Sequence, residues 1–142
     1  MYVVKIVFID GMGGGLAAQV ISQLPRKIFE EADIIGLGTN SLATAAMLKA
    51  GVKKGATGEN AICFSVANAD IIIGPIGIII PNTMMGEISP KIAEAVASAP
   101  GKKVLIPVNQ SHVEIVGLTS CSMATLIKEA IERIKELCGD NH

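Results

Sequence analysis

An apolar run, Val3-Val4-Lys5-Ile6-Val7-Phe8-Ile9, ends at Asp10 and passes into Gly11-Met12-Gly13-Gly14-Gly15, four glycines in five positions, ahead of an apolar Leu16-Ala17-Ala18. A β-branched run of this length reads as a strand, and the apolar segment after the glycines reads as the start of a helix. Glycines between the two let the backbone take positive φ and approach another group closely. The first N–H groups of a helix have no intrahelical partner and point at the same place, so a turn of this kind favours an anion. The plain alternative is that any tight strand-to-helix turn uses glycine.

The rest of the chain repeats the alternation. Strands are expected near residues 3–9, 33–38, 70–74, 103–108 and 113–117, and helices over 15–24, 42–50, 60–67, 89–98 and 123–137. Thr39, Asn40 and Ser41 stand where a helix N-cap belongs, and Gly51 and Gly139 where helices stop. The last helix is the most sharply patterned: Leu126, Ile127, Ala130, Ile131, Ile134, Leu137 and Cys138 recur on one face, with Lys128, Glu129, Glu132, Arg133, Lys135 and Glu136 opposite. Residues 51–59 leave a short extra strand open. Strands alternating with helices imply parallel βαβ units. Composition supports this, because 50% of residues are hydrophobic and only 3% aromatic, as expected of a sheet covered by helices on both faces. The expectation is one α/β domain over 1–142, three layers around a mainly parallel sheet; no linker or repeat divides it.

The glycine turn resembles those of Rossmann-like proteins in several registers. Gly13-x-Gly15-x-x-Ala18 fits the dinucleotide pattern with alanine last, and Gly11-x-x-Gly14 and Gly11-x-x-x-Gly15-x-Ala17 fit looser variants. Ala69 to Gly77 resembles the fourth strand of such proteins and its loop, with Gly74 and Gly77 permitting close approach. Ligands of open α/β sheets bind beyond the carboxyl ends of the strands, where Asp10, Thr39, Gly74 and Asn109 are all expected to fall. Two features depart from a standard dinucleotide site. Asp10 puts negative charge where a pyrophosphate would arrive, which requires either a bridging cation such as Mg²⁺ or a carboxylate turned away. After the second strand, where an acidic residue often holds the ribose, the chain reads Gly36-Leu37-Gly38-Thr39-Asn40-Ser41. Asn40 can bond a ribose or simply cap a helix.

Candidate catalytic groups are Asp10, Glu59, Glu87, Asn109, His112 and Cys121, each in or beside a loop. Each has a bland reading. Glu59 suits a helix start, and Glu87 a solvated surface. His112 is the one His before the terminal residue, with a reference pKa near 6.5 that suits acid–base work. Cys121 precedes the last helix, whose N-terminus would lower a thiol pKa, but no paired base is identifiable from spacing.

Several classes are excluded or disfavoured. A net charge of −1 with scattered lysines gives no footprint for nucleic acid. The longest apolar stretch, Ile71 to Ile80, is interrupted by Gly74, Pro75 and Gly77 and is about half a bilayer span. The N-terminal run reads as a strand rather than a signal peptide, so cytoplasmic residence is expected. Cys63, Cys121 and Cys138 lack metal-site or disulfide-framework spacing. Gly-x-x-x-x-Gly-Lys-Ser/Thr is absent, as are Tyr-x-x-x-Lys and Gly-x-Ser-x-Gly, which removes P-loop NTPase, short-chain dehydrogenase and serine hydrolase machinery.

The stretches Gly38 to Thr44, Gly55 to Ala61, Gly74 to Ile78 and Ile106 to Asn109, together with Asp10-Gly11 and the glycine triplet, resemble a small bacterial family. It is catalogued as a domain of unknown function, number thirty-eight forty-two. The resemblance covers nearly the whole chain and implies a short cytosolic protein with a Rossmann-like first half; it carries no activity and no residue role. The residues themselves favour a site for a phosphorylated small molecule, NAD(P) or an adenine nucleotide, with Gly11, Gly13, Gly14 and Gly15 as backbone donors, Thr39 and Asn40 at the ribose, and Gly74 to Gly77 as the opposing wall. A homodimer is expected, with residues 78–85 as an apolar patch. Two rivals remain open: a non-catalytic sensor or homo-oligomeric assembly module, and a small racemase- or lyase-like enzyme working through Cys121 or His112.

Overall fold

The computed structural model describes residues 2–108, 112–118 and 121–139. Its strands are β1 (Lys5–Asp10), β2 (Asp33–Gly38), β3 (Lys54–Thr57), β4 (Ile71–Pro75) and β5 (Lys102–Ile106). The helices are α1 (Gly15–Ser22), α2 (Arg26–Glu31), α3 (Ser41–Ala50), α4 (Glu59–Val66), α5 (Pro90–Ser98) and α6 (Met123–Gly139), and a 3₁₀ turn spans Ile76–Ile79. Among the described residues the strands form one sheet in the order β3-β2-β1-β4-β5, and every pairing is parallel. This is the Rossmann-like three-layer arrangement.

The continuous apolar run of β1 conceals a period of two. Ile6 and Phe8 join Ile71 and Ile73 of β4 on one face, against Val20 and Ile21 of α1, Met47 of α3 and Ile127 and Ile134 of α6. Val7, Ile9 and Ile72 face the other way, onto Ile62 and Val66 of α4 and Ile92 and Val96 of α5. A strand buried on both faces has no polar side to show, so β1 and β4 read as unbroken hydrophobic runs. Burying one such Ile or Phe completely stabilises the fold by about 1.5–3 kcal/mol.

Crossover handedness sets the placement of the helices. From β1 the chain steps outward through β2 to the edge strand β3, with α1 and α3 on one face, then returns past β1 to β4 with α4 on the opposite face. The carboxyl ends of β1 and β4 therefore form a topological switch point, where adjacent connections part to opposite faces and leave a crevice.

One segment settles a reading that the sequence left open, and others differ from the expectation. Residues 54–57 do form a strand, but as β3 is wholly exposed at the sheet edge, Lys-Gly-Ala-Thr carries no hydrophobic signature. Residues 113–117 form no strand. Val113 makes an isolated bridge, the segment then turns at Gly117 (φ 89°), and Val116 is fully exposed, so no buried face rewards an extended pairing there. The short helix α2, with Pro25 at its start and only Ile28 buried, was too brief to reveal a period. The expected apolar patch at 78–85 mostly turns inward: Ile78 and Thr83 are buried, Ile79, Ile80 and Met84 half-buried, and Met85 alone of the methionine pair is fully exposed. No helix among the described residues is long and apolar enough to cross a membrane.

Candidate functional site

Asp10 ends β1, and the chain turns immediately beyond it. The Gly14 N–H donates to the Gly11 carbonyl at 2.9 Å, and Gly14 takes a left-handed conformation (φ 73°) at the N-cap of α1. A Cβ there would lie 2.8 Å from the Cα of Ala43, so glycine is required both by the turn and by the crossing of α1 on α3. Gly13 and Gly15 differ, because a Cβ on either would meet nothing within 4 Å. They border open space.

The Asp10 carboxylate is 4% exposed and folds back beneath the turn. Its Oδ1 accepts from the Gly11 N–H and its Oδ2 from the Ala17 N–H, both at 2.8 Å. It therefore satisfies one of the free donors in the first turn of α1. Burial raises the Asp10 pKa above its ordinary value; the two backbone N–H groups oppose that rise, and the charge of Glu87 adds to it. The N–H groups of Gly15 and Leu16 have no hydrogen-bond partner among the described residues.

A cavity of about 380 Å³ opens over this turn. The glycine segment and Leu16 form its floor, Pro75 from the end of β4 and Val108 beyond β5 one wall, and Met84 and Met123 apolar flanks. Its described lining holds no Lys, Arg or His. A larger hollow, about 660 Å³, lies at the opposite end of the sheet between the carboxyl ends of α1 and α3 and the start of α2. That hollow lies at the amino ends of β2 and β3, away from the switch point where open α/β sheets bind ligands, so the smaller cavity is the candidate site.

Glu87, in the segment between β4 and α5, reaches across the turn. Its Oε1 accepts from the Met12 N–H at 2.7 Å and from the Thr39 hydroxyl at 2.6 Å, and Asn40 Nδ2 donates to both carboxylate oxygens at 3.1 and 3.2 Å. Partial burial pushes the Glu87 pKa up, but these three donors outweigh it and hold the carboxyl below its ordinary value. Asn40 also donates to the Met12 carbonyl at 2.9 Å and caps α3 by accepting from the Ala43 N–H at 2.8 Å. The helix-cap reading of Asn40 therefore holds, and its amide nitrogen is taken up by Met12 and Glu87.

The other candidates are dispersed. Asp10, Gly11, Gly13, Gly14 and Gly15 line the cavity; Thr39 and Asn40 stand beside it, turned to Glu87. Gly74 does not line it; a Cβ there would collide with the Ile9 carbonyl, so this glycine serves the close pairing of β4 on β1. Gly77 lies in the buried 3₁₀ turn, its carbonyl accepting from Thr83 Oγ1 at 2.6 Å. Glu59, first residue of α4, accepts from Ser89 Oγ at 2.6 Å and ties the starts of α4 and α5 together. His112 and Cys121 are exposed and outside the lining. Asn109 lies outside the described residues. No group of three or more His, Cys, Asp or Glu among the described residues is placed to hold a metal. Sequence reasoning did not find the wall residues Met84 and Met123, which no motif marks; proximity to the ends of β1, β4 and β5 in the folded chain is the signal that gathers them.

The family model described as "Domain of unknown function (DUF3842)" matches residues 5–139. The chain belongs to that family. The DUF3842 match begins with the first residue of β1 and ends with the last of α6, so it takes in the whole sheet, every helix and the cavity. No curated protein and no solved structure matches the chain.

Proposed function

We propose that this protein binds a phosphorylated small molecule, a nucleotide or dinucleotide of the adenine or NAD(P) kind, in the cavity over the glycine turn. The observation that carries the reading is the combination at one point of open space and unused donors. Gly13 and Gly15 border the cavity with no atom in the way of a Cβ, and the N–H groups of Gly15 and Leu16 lack partners among the described residues. A phosphate oxygen there gains charge-assisted hydrogen bonds, each typically about 1.5–3 kcal/mol, and about 0.3–1 kcal/mol from the helix dipole. Leu16, Met84, Val108 and Met123 suit an apolar ring or base beside it.

Asp10 fits this arrangement because it is turned beneath the turn and holds two N–H groups, rather than projecting at the ligand. It orients the start of α1. The chemistry that a bound dinucleotide supplies is hydride transfer, and Asp10, its pKa raised by burial, is the one titratable group in the described lining of the cavity.

A second reading, a sensor or assembly module with no cofactor, has one observation in its favour. By satisfying the Ala17 N–H, Asp10 gives the turn an internal anion. Thermal unfolding with NAD⁺, NADH, NADP⁺, NADPH, ATP, AMP, FMN and S-adenosylmethionine, with and without Mg²⁺, separates the two. A ligand at one hundred times its dissociation constant adds about 2.7 kcal/mol of stability. A raised midpoint that Gly13→Val abolishes supports the nucleotide site; no shift with any compound supports the module.

A further inference from the structure

Dinucleotide-binding sheets place an acidic side chain at the carboxyl end of the second strand, where it accepts from the ribose hydroxyls. Residues 36–41 of this chain contain no Asp or Glu. The fold nevertheless brings a carboxylate to that place from a segment about fifty residues further along: Glu87 lies 2.6 Å from the hydroxyl of Thr39, the residue directly after β2, and 2.7 Å from the Met12 N–H in the glycine turn.

The two oxygens of Glu87 are not equivalent. Oε1 accepts from Met12, Thr39 and Asn40, which fills its capacity, whereas Oε2 receives only the 3.2 Å contact from Asn40 among the described residues. The side chain is half-buried, and Oε2 keeps acceptor capacity unused among the described residues. Three donors fix the carboxylate in position and favour its ionised form at neutral pH. A fixed, ionised carboxylate accepts hydrogen bonds and cannot donate them, so its ligand must offer donors, as the hydroxyls of a ribose do; a phosphate ester in the same place brings like charge against it.

We infer that Glu87 is the ribose-recognising residue of the site proposed above, its Oε2 accepting from the vicinal hydroxyls of an unphosphorylated ribose, so that the site takes NAD⁺ or ADP-ribose and rejects 2′-phosphorylated counterparts. The inference rests on the nucleotide reading and names its substrate class. The glycine turn lies between the two subsites: the cavity with Pro75, Val108 and Met123 is on the β4–β5 side, and Glu87 with Thr39 is on the β2 side. A dinucleotide laid across the turn would touch both.

The test is titration calorimetry on the full chain with NAD⁺, NADP⁺ and ADP-ribose, for the unmodified protein, Glu87→Gln and Glu87→Asp, with melting curves to establish that each variant is folded. The unmodified protein is expected to prefer NAD⁺ over NADP⁺ by roughly tenfold or more, the worth of a charged hydrogen bond. Glu87→Gln should weaken NAD⁺ and ADP-ribose by a similar factor and remove the preference, and Glu87→Asp should retain part of it. Equal affinity of the unmodified protein for NAD⁺ and NADP⁺ overturns the inference while leaving the nucleotide reading in place, and that comparison needs no variant. Tighter NAD⁺ binding by Glu87→Gln also overturns it, since Glu87 would then be an obstacle to the ligand. Binding of none of the three by the unmodified protein overturns the inference and the dinucleotide form of the reading together, and a further absence of binding to ATP and AMP overturns the nucleotide reading itself.

Discussion

Two loops leave the carboxyl ends of the neighbouring strands β1 and β4, and they are held in different ways. The turn after β1 takes its geometry from glycines, Gly14 at φ 73° among them, together with Met12 at φ 52°, and its hydrogen bonds from a buried carboxylate, Asp10. The loop after β4 reverses through Asn82, Met84 and Met85 at φ 67°, 56° and 57°, three non-glycine residues in the left-handed region. Each such residue costs about 1–2 kcal/mol. Side chains hold that loop down: Thr83 donates to the carbonyls of Gly77 and Ile80 at 2.6 and 3.0 Å, and Glu87 takes the donors of Met12, Thr39 and Asn40. The difference teaches that the first loop is held from beneath by one buried carboxylate and the second by side chains that reach across to its neighbours, so the two should respond differently to substitution.

The largest effect should fall on the first loop. Asp10→Ala leaves the N–H groups of Gly11 and Ala17 without their acceptor in a buried place, and should cost about 2–4 kcal/mol in urea unfolding. A loss under about 0.5 kcal/mol would break the claim that this carboxylate organises the turn. On the other side, Thr83→Val removes a buried hydroxyl that serves two carbonyls and should cost about 1–2 kcal/mol. If the comparison holds, amide exchange in Thr83→Val should speed up over 81–88 and at Met12, whose N–H donates to Glu87, and leave 13–17 unchanged.

The two carboxylates should also respond to pH with opposite sign. The Asp10 pKa is raised above 3.8, chiefly by burial, so its contribution to stability is present below about that pH and is lost as pH rises through the raised value. The Glu87 pKa is lowered from 4.5, the donors of Met12, Thr39 and Asn40 prevailing over burial, so its contribution is present above 4.5 and is lost as pH falls through the lowered value. Urea midpoints measured against pH should therefore flatten above pH 4 in Asp10→Asn and below pH 4.5 in Glu87→Gln. Matching slopes in both variants would contradict the assignment. The smallest expected effect is a gain: Met85→Gly, at an exposed left-handed position, should stabilise the protein by roughly 0.5 kcal/mol, the relief of the φ strain less the added chain entropy of glycine.

How legible each region was in the sequence divides along the same line. The glycine turn announced itself because its geometry comes from residue type, and the central strands because burial on both faces leaves only Ile, Val and Phe. The edge strand β3 stayed undecided within 51–59 because an exposed edge selects no apolar pattern, and 113–117 misled because short β-branched runs also occur where the chain merely turns. Glu87 stood among the loop carboxylates with a surface reading, since nothing in its local sequence says that it crosses the turn to Thr39. Contacts of that kind depend on the sheet order, which sets β1 between β2 and β4; the residues flanking Glu87 do not encode it.

The most direct test of the central claim is an amide-resolved NMR titration of the ¹⁵N-labelled protein with NAD⁺ and with ADP-ribose. The account predicts saturable shifts led by the amides of Gly13, Gly15 and Leu16, extending to Met12 and Thr39, and abolished by Gly13→Val. Saturable shifts centred elsewhere, or none at millimolar ligand, would contradict the claim that this turn is a nucleotide site.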